Sequence, residues 1–422
     1  SQQFTGRKSI LETRRSPDTR QSAFRDDQLH HLLPQWGSRS SFWGIDRDAT
    51  ETNFFIITCF LSLLQNANSS AKRVISDLVP QSSGLSIVRS LLMGPPRHGN
   101  GYLPFVDLIA LEKVDETTYR STALPFSPNG SGRAYGGHVY AQAVWAAAKT
   151  VEAGFVIHNV TGFFVLAGDS SIPFIYRVQT IRNGRSYCTR LVNVTQAEGK
   201  GICFTCTCSF KLPEEGNLDV QEKIDLDKQY EVVLSDKKPE DWQEVSGMDV
   251  PWYNARRKST GRNDAFPGLE CRKVDMTQYN ASLTAFDRRQ LFLYRSLGDL
   301  PRDANIHACA HLYASDRNSL FIVANHLEIS DKFTHMASLS HTVVFHCPVS
   351  QLMLQNQGSG ERTWFCQEVW TTRAAGGRAT HHSRIIGPDG AHVASTFQEG
   401  MIRVGVGENQ YERAYKKSLE RL

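Results

Sequence analysis

Two stretches of the chain repeat one order of apolar and polar positions. From Pro173 to Phe210, short alternating runs predict a strand, a turn at Gly184-Arg185, a second strand, a Gly-containing turn and a third strand ending Cys208-Ser209-Phe210. From Arg362 to Phe397 the same order returns, with turns at Gly377-Arg378 and Pro388-Asp389-Gly390 and a last strand ending Ser395-Thr396-Phe397. Each stretch follows a helix-like segment and one strand: Gly136 to Val151 then His158 to Leu166, and Ile306 to Asp316 then Ser338 to Pro348. The helix from Val139 to Lys149 is nearly all Ala, Val, Tyr and Trp, and a helix apolar on every side must be surrounded. An antiparallel sheet wrapped round it covers that surface but leaves sheet edges open. Joining two such units edge to edge removes two of those edges. The pattern therefore predicts an α+β tandem whose units share a continuous sheet.

The repeat also sets expected boundaries. Units at 101–211 and 289–405 flank 212–288, which is charged from Asp225 to Lys238 and punctuated by Pro239, Pro251 and Pro267. That segment is expected to connect the units with some local structure. Residues 1–100 form an expected N-terminal extension, disordered in part, because its first half is rich in Ser, Arg, Gln and Asp with few apolar positions. Glu12, Asp18, Asp26, Asp27 and Asp46 count against a transit peptide. The apolar run Phe54 to Leu64 falls short of the ~20 residues of a membrane span and begins too late for a secretory signal. Residues 406–422 read as a charged tail ending Glu420-Arg421-Leu422. Its last two residues match a peroxisomal address of small residue, basic residue and Leu, and Glu420 does not.

Composition narrows the picture further. With 422 residues, 40% of them hydrophobic and 21% charged, the chain is too long for one core and has the balance of a globular protein. A net charge of +4 is too small to argue for a nucleic-acid partner. Among the nine cysteines, Cys188, Cys203, Cys206 and Cys208 sit in strand-like runs, where a free thiol behaves as a small hydrophobe. This usage fits a reducing compartment, peroxisomal or cytoplasmic. Cys203-Phe-Thr-Cys206 has the spacing of a metal pair, but no second pair supplies four ligands, so no metal is expected.

Several motifs, in order, carry a resemblance to a known family. Gly136-Gly-His-Val-Tyr-Ala-Gln-Ala, Gly162-Phe-Phe-Val-Leu-Ala-Gly-Asp169 and Arg182-Asn-Gly-Arg-Ser186 resemble the first half of the bacterial TesB and peroxisomal type II acyl-CoA thioesterases. His307-Ala-Cys-Ala-His-Leu-Tyr-Ala-Ser-Asp316, Ser340-His-Thr-Val-Val-Phe-His346 and Val393-Ala-Ser-Thr-Phe-Gln-Glu-Gly400 resemble the second. The resemblance covers about residues 102–405. It implies a tandem (double) hotdog fold, each unit a central helix wrapped by an antiparallel sheet. It also implies hydrolysis of acyl-CoA to a free acid and CoA. By motif, it places the catalytic roles on Asp316, Ser338 and Gln398, with Ser where bacterial members have Thr. Gly136, Gly137 and His138, the last where many members carry Gln, are the implied substrate-binding positions. No metal or organic cofactor is implied, and self-association is common among hotdog proteins.

The chemistry is consistent with these residue types. A carboxylate takes a proton from water, a hydroxyl and an amide orient that water, and backbone N–H groups at a helix start stabilise the oxyanion. Strand alternation leaves open whether Gln398 or its neighbour Phe397 faces the core. A Cys–His nucleophile built from Cys309 and His311, or from Cys347 and His346, is opposed by spacings that point the side chains apart. An enoyl-CoA hydratase reading lacks support, because Asp316-Arg-Asn318 is followed by Ser319-Leu320-Phe321 and not by the Pro and His of that motif. A non-catalytic acyl-CoA or lipid-binding module is the remaining alternative; it gives no reason for three convergent polar groups in an apolar tunnel.

Overall fold

The computed structural model describes residues 103–405, apart from 129–130, 197–198, 217, 261–265, 331 and 357. The extension expected over 1–100, with its apolar run, and the tail expected over 406–422 lie outside the described residues. The strands, in chain order, are β1 (Leu111–Lys113), β2 (Thr118–Ser121), β3 (Val156–Phe164), β4 (Ile175–Asn183), β5 (Tyr187–Thr195), β6 (Phe204–Lys211), β7 (Gln243–Glu244), β8 (Leu269–Lys273), β9 (Gln290–Ser296), β10 (Phe333–Phe345), β11 (Phe365–Trp370), β12 (Ala374–Ala375), β13 (Arg378–Ile386) and β14 (His392–Val404). The longer helices are α1 (Gly136–Ala148), α2 (Pro251–Thr260), α3 (Ala304–Ser315) and α4 (Ser319–His326).

All these strands belong to one sheet, in the order β1-β2-β4-β5-β6-β3-β10-β14-β13-β11-β9-β8-β7, with β12 paired to β13. The two halves of that order correspond strand for strand about the β3–β10 junction, where β3 matches β10 and the series β6, β5, β4, β2, β1 matches β14, β13, β11, β9, β8. The expected continuous sheet is present, and its seam is an antiparallel pairing from Asn159–Val344 to Phe163–Ser340. The correspondence reaches back to Leu269, so 212–288, expected as a connection, also contributes β7 and β8 to the sheet. Leu108 ends a short helical turn, Phe105–Leu108, that buries both end residues.

Each long central helix is enclosed. In α1, Gly137 through Ala147 are all buried, and in α3 so are Asn305 through Ser315. The alanines of α1 let the sheet and α3 approach closely, which is the packing their small side chains favour. Tyr140 of α1 reaches across the seam, its hydroxyl 3.1 Å from the carbonyls of both Val160 on β3 and His341 on β10. Asn305 of α3 ties the other direction, accepting from Ile157 N–H and donating to the Phe155 carbonyl, each at 2.9 Å. The connecting segment is anchored by a buried carboxylate: Glu368 on β11 is held by Arg384 on β13 and by the Tyr230 hydroxyl. No helix among the described residues is long and apolar enough to cross a membrane.

Candidate active site

The helix α1 begins without a side-chain cap. Its N-cap residue, Tyr135, is extended and contributes no capping bond, so the first N–H groups must find acceptors elsewhere. One is found in the other half of the molecule: the Gly137 N–H donates to the carboxylate of Asp316. Asp316 is the C-cap of α3. The chain breaks there because Asn318 adopts a left-handed conformation, φ 56°, after which α4 starts. The carboxylate thus lies between the open start of α1 and the break between α3 and α4. A positive helix end beside a carboxylate favours its ionised form.

Gln398 on β14 and Ser338 on β10 complete the cluster. Gln398 Nε2 donates to Asp316 Oδ1 and to Ser338 Oγ, each at 2.7 Å. Ser319 Oγ, at 3.4 Å, is a further donor to Asp316 Oδ1. Alternation along β14 resolves in favour of the amide: Gln398 is fully enclosed and Phe397 is 43% exposed. On β10, Ser338 and His341 are three apart, a spacing that sends side chains to opposite faces of a regular strand. Register with β14 shifts between Ser338–Gly400 and Ser340–Glu399. That bulge inserts one residue and returns both side chains to the inner face.

Burial pushes the Asp316 carboxyl up to about 6, and the bonds from Gln398, Gly137 and Ser319 and the charge of Arg317 oppose the rise. The group is ionised at neutral pH yet close enough to titration to exchange a proton, the property a general base requires. Asp316, Ser338 and Gly136 line a cleft of about 410 Å³, together with Phe164, Phe174 and Met336. The walls come from both halves and are mostly apolar. Gln398 is not on the wall and braces Asp316 and Ser338 from behind.

The expected substrate-binding residues divide. Gly136 lines the cleft, and a Cβ there would stand 2.7 Å from Asp316 Oδ2 and 2.9 Å from the Phe164 ring. Gly137 sits beside it, with its N–H committed to Asp316. His138 turns inward: it is 1% exposed, accepts from Phe126 N–H at Nδ1 and packs edge-on against Tyr313. One residue further round a helix points away from its neighbour's cleft, so His138 belongs to the core. The Cys–His alternative meets a similar obstacle. Both His311 nitrogens are bonded, to Tyr294 and to the Leu352 carbonyl. Burial holds the Cys309 thiol far above neutrality and pushes Cys347 up to about 12.

Comparison with known proteins identifies the family. Residues 124–211 match the family model described as the acyl-CoA thioesterase N-terminal domain, and residues 260–402 match the acyl-CoA thioesterase C-terminal domain. Together these matches span more than half of the chain. The chain belongs to the type II acyl-CoA thioesterase family. Acyl-CoA thioesterase 2 of Haemophilus influenzae is 27% identical over 308 residues, which is 71% of this chain and 96% of that protein. Acyl-coenzyme A thioesterase 8 of Mus musculus is 29% identical over 324 residues, 70% of this chain and 88% of its own. The fold matches a crystal structure of an acyl-CoA thioesterase II from Mycobacterium marinum, with TM-score 0.53 and 24% identity over 72% of this chain and 99% of the other.

For a member of this family, three residues around Asp316 were not legible as site residues. Ser319 stands out in the sequence only as a departure from the hydratase motif. Arg317 is 2% exposed, donates to the Ser246 carbonyl at 2.8 Å and lies over the Phe266 ring at 4.4 Å. His341 lies inside the motif Ser340-His-Thr-Val-Val-Phe-His346, which assigns it no role. A polar residue at an inward strand position would have been the signal, but the bulge hides which positions are inward. The close approach at Gly136 gives a direct test. Gly136→Ala is expected to reduce turnover at least about tenfold by displacing Asp316 or Phe164, while Ala's better helix propensity keeps the melting temperature within a few degrees. Steady-state kinetics and a thermal melt on the same preparation check both parts.

Proposed function

We propose that this protein hydrolyses acyl-CoA thioesters by direct attack of water, with Asp316 as general base. The observation that carries the reading is a buried, ionisable carboxylate on the wall of an apolar cleft, bridged to a hydroxyl by one amide. Water at the wall gives a proton to Asp316 while its oxygen attacks the thioester carbonyl. Ser338 accepts from Gln398, which leaves its own O–H to donate to that water and fix its lone pair toward carbon. Gln398 spends Nε2 on the two side chains and so sets their separation. The Gly136 N–H, on the cleft and without a bond among the described residues, is the donor suited to the oxyanion as the tetrahedral intermediate forms. Collapse of that intermediate expels the CoA thiolate and releases the free acid.

The apolar walls, drawn from Phe164, Phe174 and Met336, suit a hydrocarbon acyl chain, which supports a role in fatty acyl-CoA metabolism. The buried, strand-borne cysteines suit a reducing compartment, and the proposal covers both peroxisome and cytoplasm. Self-association is part of the same proposal. The test is thiol release, followed with a thiol reagent, from acyl-CoA substrates of increasing chain length. Stoichiometric release with at least one chain length is expected. Binding of acyl-CoA without release from folded protein would leave the non-catalytic module as the reading.

A further inference from the structure

The inner face of the sheet is unusually polar where Gln398 crosses it. His341 on β10 and His381 on β13 stand directly opposite Gln398, one on each side, and all three side chains are fully enclosed. A buried amide or imidazole is costly unless its polar atoms are bonded. Gln398 uses Nε2 on Asp316 and Ser338, so Oε1 still needs a donor. Among the described residues, Gln398 Oε1 lacks a well-formed bond, and so does His341 Nδ1. The second nitrogen of His341, Nε2, lies 2.8 Å from Ser315 Oγ. His381 has neither ring nitrogen bonded among the described residues.

From this arrangement we infer that His341 is a positioning residue: a neutral ring that carries its proton on Nδ1, donates it to Oε1 of Gln398 and accepts the Ser315 hydroxyl at Nε2. The tautomer follows from hydrogen-bond chemistry. Oε1 only accepts, so the facing nitrogen must carry hydrogen, and a neutral ring has one hydrogen to give. The other nitrogen is then bare, and Ser315 can fill it by turning its hydroxyl away from the Leu312 carbonyl, which lies at 2.9 Å. Burial lowers the ring to about 3, and the neighbouring Gln398 side chain pulls the other way, as an acceptor does. The Tyr140 ring packs edge-on against His341 at 5.1 Å. Opposite His341 on β3 stands Gly162, where a Cβ would meet Phe204 at 2.5 Å and Tyr140 at 3.0 Å. Ser315, His341, Gln398 and Asp316 therefore form a closed loop that starts and ends at the C-terminus of α3. Its effect is to choose one orientation of the Gln398 amide. The flipped amide would aim Oε1 at the Asp316 carboxylate and its NH2 at the His341 N–H, a repulsion at both ends.

The inference rests on the hydrolytic reading, and two measurements separate their failures. Asn in place of His sets its amide nitrogen where Nδ1 stands, whereas Gln reaches the position of Nε2. His341→Asn is expected to keep kcat within about fivefold, and His341→Gln to lower it about 30–100-fold with KM within about threefold, the signature of lost positioning. The double variant His341→Gln with Gln398→Ala should be no slower than Gln398→Ala alone, because both changes disable one device. Multiplied losses, or His341→Gln at near wild-type kcat, overturn the inference. Nitrogen-15 NMR of histidine-labelled wild-type protein reads the tautomer without any turnover. The resonance absent from His341→Asn should be a neutral Nδ1–H ring; a neutral Nε2–H ring overturns the inference even if the variants fold poorly. Absence of thiol release by wild type would instead overturn the hydrolytic reading.

Discussion

Asp316→Asn is expected to lower kcat by about 10²–10⁴-fold with little change in KM, the usual range for loss of a general base. Size and cleft shape are kept, and the amide oxygen can still accept from Gln398. The amide nitrogen, however, cannot take a proton from water, and it presents a second donor to the Gly137 N–H. Single-turnover thiol release separates this chemical loss from binding; near wild-type turnover would remove Asp316 from the mechanism. The same variant has an opposite effect on stability. Burial raises this carboxyl to about 6, above the ~3.9 of an unfolded Asp, so the folded protein holds the proton more tightly. Its contribution is present in full below the unfolded value and is lost as pH rises through about 6. That loss is on the order of 3 kcal/mol, and the Asn variant escapes it. Thermal melts from pH 4 to 7.5 should show the variant gaining on wild type across that window, and parallel curves would contradict the raised value.

Gln398→Ala should cost about 10²-fold in kcat, because Asp316 and Ser338 lose the one group that sets their separation. It makes a second, more specific mark. The Gln398 bond is the largest influence opposing the burial-driven rise of Asp316. Its removal moves the acid limb of kcat/KM, expected at about pH 6 in wild type, to higher pH. Below its midpoint that limb should fall about tenfold per pH unit, as for a single essential base. A pH profile of both proteins checks the shift. A variant slowed to the same degree with its limb unmoved would mean that Gln398 acts without touching Asp316.

The bridge between these residues was only partly legible in the chain. Asp316, Ser338 and Gln398 were reached by motif, and the structure brings all three together. Gly136 is implied by the same resemblance, and the Asp316 oxygen 2.7 Å from where a Cβ would stand supplies a physical reason for glycine there. The resemblance implies a substrate-binding position at His138, where many members carry Gln, and helix geometry turns the ring inward. His341 has no role in the motif reading, and a period-two pattern along β10 would set it and Ser338 on opposite faces, which the register shift undoes. Phe397 and Gln398 illustrate the same limit, since apolar content alone favours burying the residue that is in fact exposed.

What the sequence determined by itself was the repeat: two apolar helices, two sets of alternating strands and the need to join their edges. Those are local and periodic properties, written in the order of side chains along the chain. The tertiary structure decided what that order does not contain. It supplied the β10 bulge, the pairing of the Gly137 N–H with a carboxylate 179 positions later in the chain, and the enclosure that lifts Asp316 toward neutrality. Each depends on atoms brought together from distant segments in a low-dielectric interior, where one missing or added hydrogen bond changes the state of a proton.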